Sequence, residues 1–159
     1  MTMNEKFDIT LNINGRDYPI RVEPRKTLVD AIRDDCGQTG THIGCEHGIC
    51  GTCTIIVDDE AVRSCLMFAV QAQGKKIRTV EGLANGEELH PLQRAFIENH
   101  GLQCGYCTPG FLMLATNVLE KNPNIGDERY SGSLPQPISA AHAEPTTASL
   151  QPTFPPAAA

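Results

Sequence analysis

The chain has 159 residues, 40% of them apolar but only 5% aromatic and none of them tryptophan, which suffices for one ordinary domain or two small ones around an aliphatic core. Nineteen acidic against thirteen basic side chains give a formal net charge of −6, so no broad basic surface exists to neutralise a phosphate backbone, and nucleic acid is not expected as a partner. No apolar run approaches the roughly 18 residues of a spanning helix, and Met1–Lys6 lacks the charged-then-apolar order of a secretion signal; a cytoplasmic chain with no membrane partner is expected.

Phe7, Ile9, Leu11 and Ile13 alternate with polar neighbours, and the alternation resumes at Tyr18, Ile20 and Val22 after Asn14-Gly15, a pair suited to the positive φ angles of a two-residue hairpin turn. Thr27 then precedes Leu28, Val29, Ala31 and Ile32 at helical spacing, which predicts a short helix capped by Thr27 and ending at Cys36-Gly37. A Gly- and Cys-rich loop from Gly40 to Cys53 feeds a second hairpin, Thr54–Val57 and Ala61–Cys65, and Lys76–Val80 reads as one more strand. Residues 1–82 are thus expected to form a small α+β unit.

Beyond Gly82 the period becomes helical. His90–Asn99 places Leu92, Phe96 and Ile97 on one predicted face, and Thr108-Pro109 opens a longer helix with a capping hydroxyl and a proline at its first position. Two helices over residues 83–129 are too few to bury their own apolar faces, so Phe111, Leu114 and Val118 are expected to be exposed. Residues 130–159 hold six prolines, seven alanines and one charged side chain, Glu144, a composition expected to stay disordered.

Seven cysteines in a reducing compartment point to metal rather than disulfides. Cys45, Cys50 and Cys53 are spaced C-x4-C-x2-C, and Cys65 follows after eleven residues, the ligand pattern of a plant-type 2Fe-2S cluster. Three thiolates on one loop can wrap two irons only if the backbone turns tightly; Gly44, Gly48 and Gly51 are expected to supply the dihedrals and the space. Such a cluster carries a net charge of about −2 by formal counting, which backbone N–H groups must offset. A structural zinc site uses the same donors but favours two separated C-x2-C knuckles. A Rieske arrangement begins at Cys45-Glu46-His47 but lacks its second half. Cys104-Gly105-Tyr106-Cys107 is a further metal-ligand pair; a dithiol redox motif would also sit at a helix start, but no βαβ unit surrounds it. Cys36 has no partner at ligand spacing and reads as a small core residue.

Three segments resemble the small iron-sulfur subunit of the molybdenum hydroxylases, the xanthine oxidase family: Gly44–Cys53, Arg63-Ser-Cys-Leu66 and Gly101-Leu-Gln-Cys-Gly-Tyr-Cys-Thr-Pro-Gly110. The resemblance, which runs from about residue 7 to 125, implies an α+β architecture: an N-terminal β-grasp, ferredoxin-like domain followed by a small helical bundle, each holding one 2Fe-2S cluster. It implies a molybdopterin-binding large subunit and an FAD-binding medium subunit as partners. Electrons left on molybdenum by hydroxylation would pass singly through this chain to flavin, in an oxidoreductase complex whose substrate site lies elsewhere. It further implies that the cluster on Cys45, Cys50, Cys53 and Cys65 faces the flavin, that Cys104 and Cys107 belong to the second cluster, and that Gln103, just before them, approaches the pterin.

The sequence departs from that family in one respect. The second cluster normally takes two more ligands from a C-x-C pair some thirty residues on, and no cysteine follows Cys107. A changed reading frame near residue 129, ligands borrowed from a partner subunit and a true one-cluster protein are the competing accounts. From other functional classes, a free-standing ferredoxin or a zinc-binding interaction module would use the same four cysteines.

Overall fold

The computed structural model describes residues 5–123 and residue 125; the proposed disordered stretch 130–159 lies outside them. Strand β1 (Phe7–Ile13) pairs antiparallel with β2 (Arg16–Val22), from Phe7 opposite Val22 to Ile13 opposite Arg16. The two residues between them, Asn14 and Gly15, both have positive φ, at 52° and 79°, which matches the turn twist to that of the strands. Ile9, Leu11 and Ile13 face inward while their polar neighbours face out.

Helix α1 (Leu28–Asp30) starts at Thr27, whose hydroxyl oxygen accepts from the Asp30 N–H at 3.2 Å. It then widens into a π-helical turn, Ala31–Asp35, closed by the Cys36 N–H on the Ala31 carbonyl at 3.0 Å. Leu28, Ala31, Ile32 and Cys36 pack on the sheet with Leu11, Ile13, Ile55, Val57 and Ile77.

The remaining strands are β3 (Thr54–Val57), β4 (Glu60–Arg63) and β5 (Lys76–Arg78). The sheet order is β2-β1-β5-β3-β4, with β5 parallel to β1 and every other pair antiparallel. Strand β5 stops before the predicted Val80. The Thr79 N–H donates to the Asn14 side chain at 2.9 Å, and the Asn14 amide donates to the Thr79 hydroxyl at 2.9 Å. This tie to the first hairpin takes the chain out of the ladder and into a 3₁₀ turn, Val80–Gly82.

Helix α2 (Pro91–Glu98) is capped by His90, whose ring Nδ1 accepts from the Leu92 N–H, while Gln93 reaches back to the His90 N–H. Its buried face is Leu92, Ala95 and Phe96. Ile97, expected on that face, is 59% exposed, because a residue five positions after Leu92 has rotated off it.

Helix α3 (Thr108–Lys121) is buried from Gly110 through Asn117. Phe111 and Leu114, expected to be exposed, are buried, and Val118 is partly so. The missing cover is the sheet: α3 lies along β3, and Ala61, Val80 and Leu83 complete the cluster of Leu92, Phe96, Phe111 and Leu114. Arg78 of β5 holds Glu120 through two nitrogens at 2.9 and 2.5 Å, Lys121 pairs with Glu60 at 2.7 Å, and the Asn117 amide donates to the Asp59 carbonyl at 2.8 Å. Strand β3 is consequently buried at all four positions, with Ile55 and Val57 toward α1 and the alternate residues toward α3.

Truncating Phe111 to Ala should remove about 3–5 kcal/mol of stability, whereas Ile97→Ala should stay within about 0.5 kcal/mol. Denaturant unfolding of the full chain measures both, and equal losses would contradict the placement of the two side chains.

Candidate metal centre

The loop between α1 and β3 reverses direction repeatedly. Glu46, Gly48 and Gly51 have φ of 56°, 85° and 75°, three left-handed residues within six positions. Gly44 was expected to contribute in the same way, but its φ is not among the positive ones. Its part is spatial, since a Cβ there would stand 3.0 Å from the Cys50 sulfur. Glu46 takes a left-handed conformation that its residue type does not announce.

The folded loop brings the four thiols together as two pairs. The Cys50 N–H donates to the Cys45 sulfur at 3.3 Å. Cys53 and Cys65 form the second pair, buried together with Val29, and Cys65 also feels the charge of Cys45. Cys53 and Cys65 are buried, whereas Cys45 and Cys50 are partly open to solvent. Residue 65 reaches the loop because the Ser64 hydroxyl and N–H both donate to the Cys53 carbonyl, at 2.6 and 3.3 Å.

Electrostatics divide the four sulfurs. N–H groups of Cys50, His47 and Ile49 converge on the Cys45 thiol and push it down to about 6, so it is a thiolate at neutral pH. Burial, then the bond with Cys53, pushes Cys65 up to about 11, despite an N–H from Gly48. His47, considered for the Rieske pattern, has its Nδ1 on the Cys45 carbonyl. Among the described residues no three His, Cys, Asp or Glu side chains converge on one point as a single ion requires. Two thiol pairs with backbone N–H groups directed at sulfur suit a two-iron cluster, which Cys45, Cys50, Cys53 and Cys65 could hold.

Cys104 is exposed and Cys107 half-buried, at the start of α3, with Gly105 between them at φ 80°. Burial, then the neighbouring Cys104 and Cys50 thiols, pushes Cys107 up; the start of α3 lies against the first site, where a Cβ at Gly110 would stand 2.5 Å from the Gly51 and Thr52 carbonyl oxygens. Thr108, expected as the capping hydroxyl, lies inside the helix. Cys107 occupies the cap position through its backbone, and the Thr108 hydroxyl finds no partner among the described residues. Gln103 is exposed next to Cys104. Cys36 sits in the α1 core, pushed up to about 11 by burial, away from both cysteine loops.

Two residues that spacing alone does not single out join these loops. The Tyr106 hydroxyl donates to the Ile43 carbonyl at 2.6 Å, and its ring stacks on His42 with centroids 4.7 Å apart. A tyrosine between two cysteines, with a histidine just before the first loop, was the available signal.

Replacing Cys53 or Cys65 by Ser should abolish visible absorbance and bound iron, while Cys36→Ala should leave both unchanged; absorbance and iron per chain are the readouts.

Residues 11–84 match the family model of a 2Fe-2S iron-sulfur cluster binding domain, and residues 79–144 match that of a 2Fe-2S binding domain. The second match extends beyond residue 129, where composition places the end of the helical domain. The nicotine 6-hydroxylase small subunit of Paenarthrobacter nicotinovorans is 52% identical over 131 residues, covering 82% of this chain and 79% of that one. Caffeine dehydrogenase subunit gamma of Pseudomonas sp. (strain CBB1) is 58% identical over 117 residues, 74% of this chain and 70% of that one. Among solved structures, quinoline 2-oxidoreductase from Pseudomonas putida 86 superposes with a TM-score of 0.80 at 41% identity, covering 94% of this chain and 98% of the matched one. With both domain types present in one chain and relatives this similar along most of their own length, the protein belongs to the family of small iron-sulfur subunits of molybdenum hydroxylases.

Proposed function

We propose that this chain relays single electrons from a molybdopterin-binding subunit to an FAD-binding subunit of a cytoplasmic oxidoreductase complex. The observation that carries the reading is the juxtaposition of two cysteine loops with different exposures. The Cys104–Cys107 loop, with Gln103 beside it, opens to solvent, and Tyr106 fastens it to the four-thiol loop, whose Cys53 and Cys65 are buried. A bound 2Fe-2S cluster would supply reversible one-electron chemistry at the four-thiol loop. The protein's own part is to orient N–H groups toward sulfur, to bury Cys53 and Cys65, and to seat the start of α3 against Gly51 and Thr52.

Two apolar rims support contacts with two partners. Ile49 and Leu66, 60% and 63% exposed, border the first site, and Leu102 and Tyr106 border the second loop. Gln103 is the residue we assign to the pterin side, with the rim of Ile49 and Leu66 toward flavin. Substrate chemistry falls to the molybdenum subunit, and this chain needs no substrate pocket. Cys104 and Cys107 supply two ligands toward a second cluster, and no cysteine follows them in this sequence.

A free-standing ferredoxin would have no use for the second loop, which is fastened to the first by Tyr106. A zinc module would be colourless and redox-silent.

Iron, acid-labile sulfide and electron paramagnetic resonance of the reduced full chain test this reading. The expected result is a red-brown protein with one pair of irons on Cys45, Cys50, Cys53 and Cys65 and one signal. Colourless material carrying zinc would overturn it. A second signal would place further ligands for Cys104 and Cys107 outside the cysteines of this chain.

A further inference from the structure

We propose that Tyr106 is a positioning residue for electron passage across this chain, clamping the Cys104–Cys107 loop onto the segment that leads into Cys45 while Gly110 closes the same gap from the other side. The proposal deepens the relay reading above and rests on it.

Tyr106 makes three connections to one short segment. Its ring lies nearly parallel to the His42 imidazole, at 17° and 4.7 Å. Its hydroxyl donates to the Ile43 carbonyl at 2.6 Å. Its own carbonyl, which can only accept, lies 2.8 Å from His42 Nδ1, so His42 carries its proton there. The side chain remains half exposed, so its ring adds little to either core, and its bonds are spent on joining the two loops.

Gly110 holds the opposite flank. A Cβ at this position would sit 2.5 Å from the carbonyl oxygens of both Gly51 and Thr52. Those oxygens are backbone and cannot swing aside as the end of a side chain would, so α3 can begin this close only with glycine. Residues 42 and 43 precede Cys45, and residues 51 and 52 precede Cys53. The second cysteine loop is therefore fixed to the first at two separate places, residues 42–43 through Tyr106 and residues 51–52 through Gly110.

The step served would be the passage of one electron from the reduced molybdopterin-binding partner, past the Cys104–Cys107 loop, to a cluster held on Cys45, Cys50, Cys53 and Cys65, with no bond or proton exchanged. Residues that hold the loop in place act on this step through positioning alone, without touching donor or acceptor.

The test uses the full chain labelled with nitrogen-15 and carrying Cys104→Ser and Cys107→Ser, so that iron binds only at Cys45, Cys50, Cys53 and Cys65. Upon reduction, the amide signals of Tyr106 and Gly110 should be broadened by the nearby iron. Tyr106→Ala should lose that broadening at both positions, with the visible spectrum, the unfolding midpoint and the broadening at Thr54 and Ser64 unchanged. Tyr106→Phe, which keeps the ring stack, should restore it in part, and Gly110→Ala should lose it by pushing from the other flank. Full broadening of residues 106 and 110 in Tyr106→Ala would overturn the proposal. A sample that takes up no iron and shows no broadening even at Thr54 would instead overturn the relay reading itself.

Discussion

The structure depends on how negative charge is held in the loop that carries Cys45, Cys50 and Cys53. Four thiolates around two irons concentrate charge in a chain that is already acidic overall, and residues 40–53, which carry three of them, include no Lys or Arg. The offset comes from the main chain. The Cys50 N–H donates to the Cys45 sulfur and those of residues 47 and 49 add to its pull on the thiol, in a loop turned by the left-handed φ of residues 46, 48 and 51. Gly48 and Gly51 are thus electrostatic residues by way of their backbone, and Gly44 contributes by leaving the Cys50 sulfur its volume.

That loop is braced from several directions. Ser64 ties Cys53 to the segment holding Cys65, helix α1 sets Val29 against Cys53 and Cys65, and α3 arrives at Gly51 and Thr52 through Gly110. The sheet carries the bracing to both halves of the chain. Strand β3 sits between α1 and α3, so one short, fully buried segment joins the two apolar clusters. Polar ties, Arg78 with Glu120 and Asn117 with the Asp59 carbonyl, align the helix along it.

What was legible in the sequence follows from local rules. The first hairpin was, because strict alternation and Asn14-Gly15 leave few alternatives. The four-thiol set was, because ligand spacing on one loop is a one-dimensional property. The parts that escaped reading are those where distant residues decide. Strand β5 ends early because Asn14 captures Thr79 from 65 positions away. Thr108 looks like a cap, yet the loop geometry of Gly105 and Tyr106 moves the helix start one residue upstream. Phe111 and Leu114 are covered by a sheet that helical periodicity cannot anticipate. Ile97 was assigned to the buried face although Ala95 was the better candidate by angle. The link through Tyr106 depends on a meeting of segments 63 and 64 residues apart in the chain.

The burial of β3 on both faces bears on modularity. Antiparallel sheets commonly keep one face in water, whereas here Thr54 and Ile56 are as hidden as Ile55 and Val57. Excising the N-terminal half at residue 82 would strip α3 from that side and bare a hydrophobic ribbon next to the cysteine loop. The two halves have become one inheritable unit: recombination between them would need polar replacements along β3 before either fragment could circulate alone.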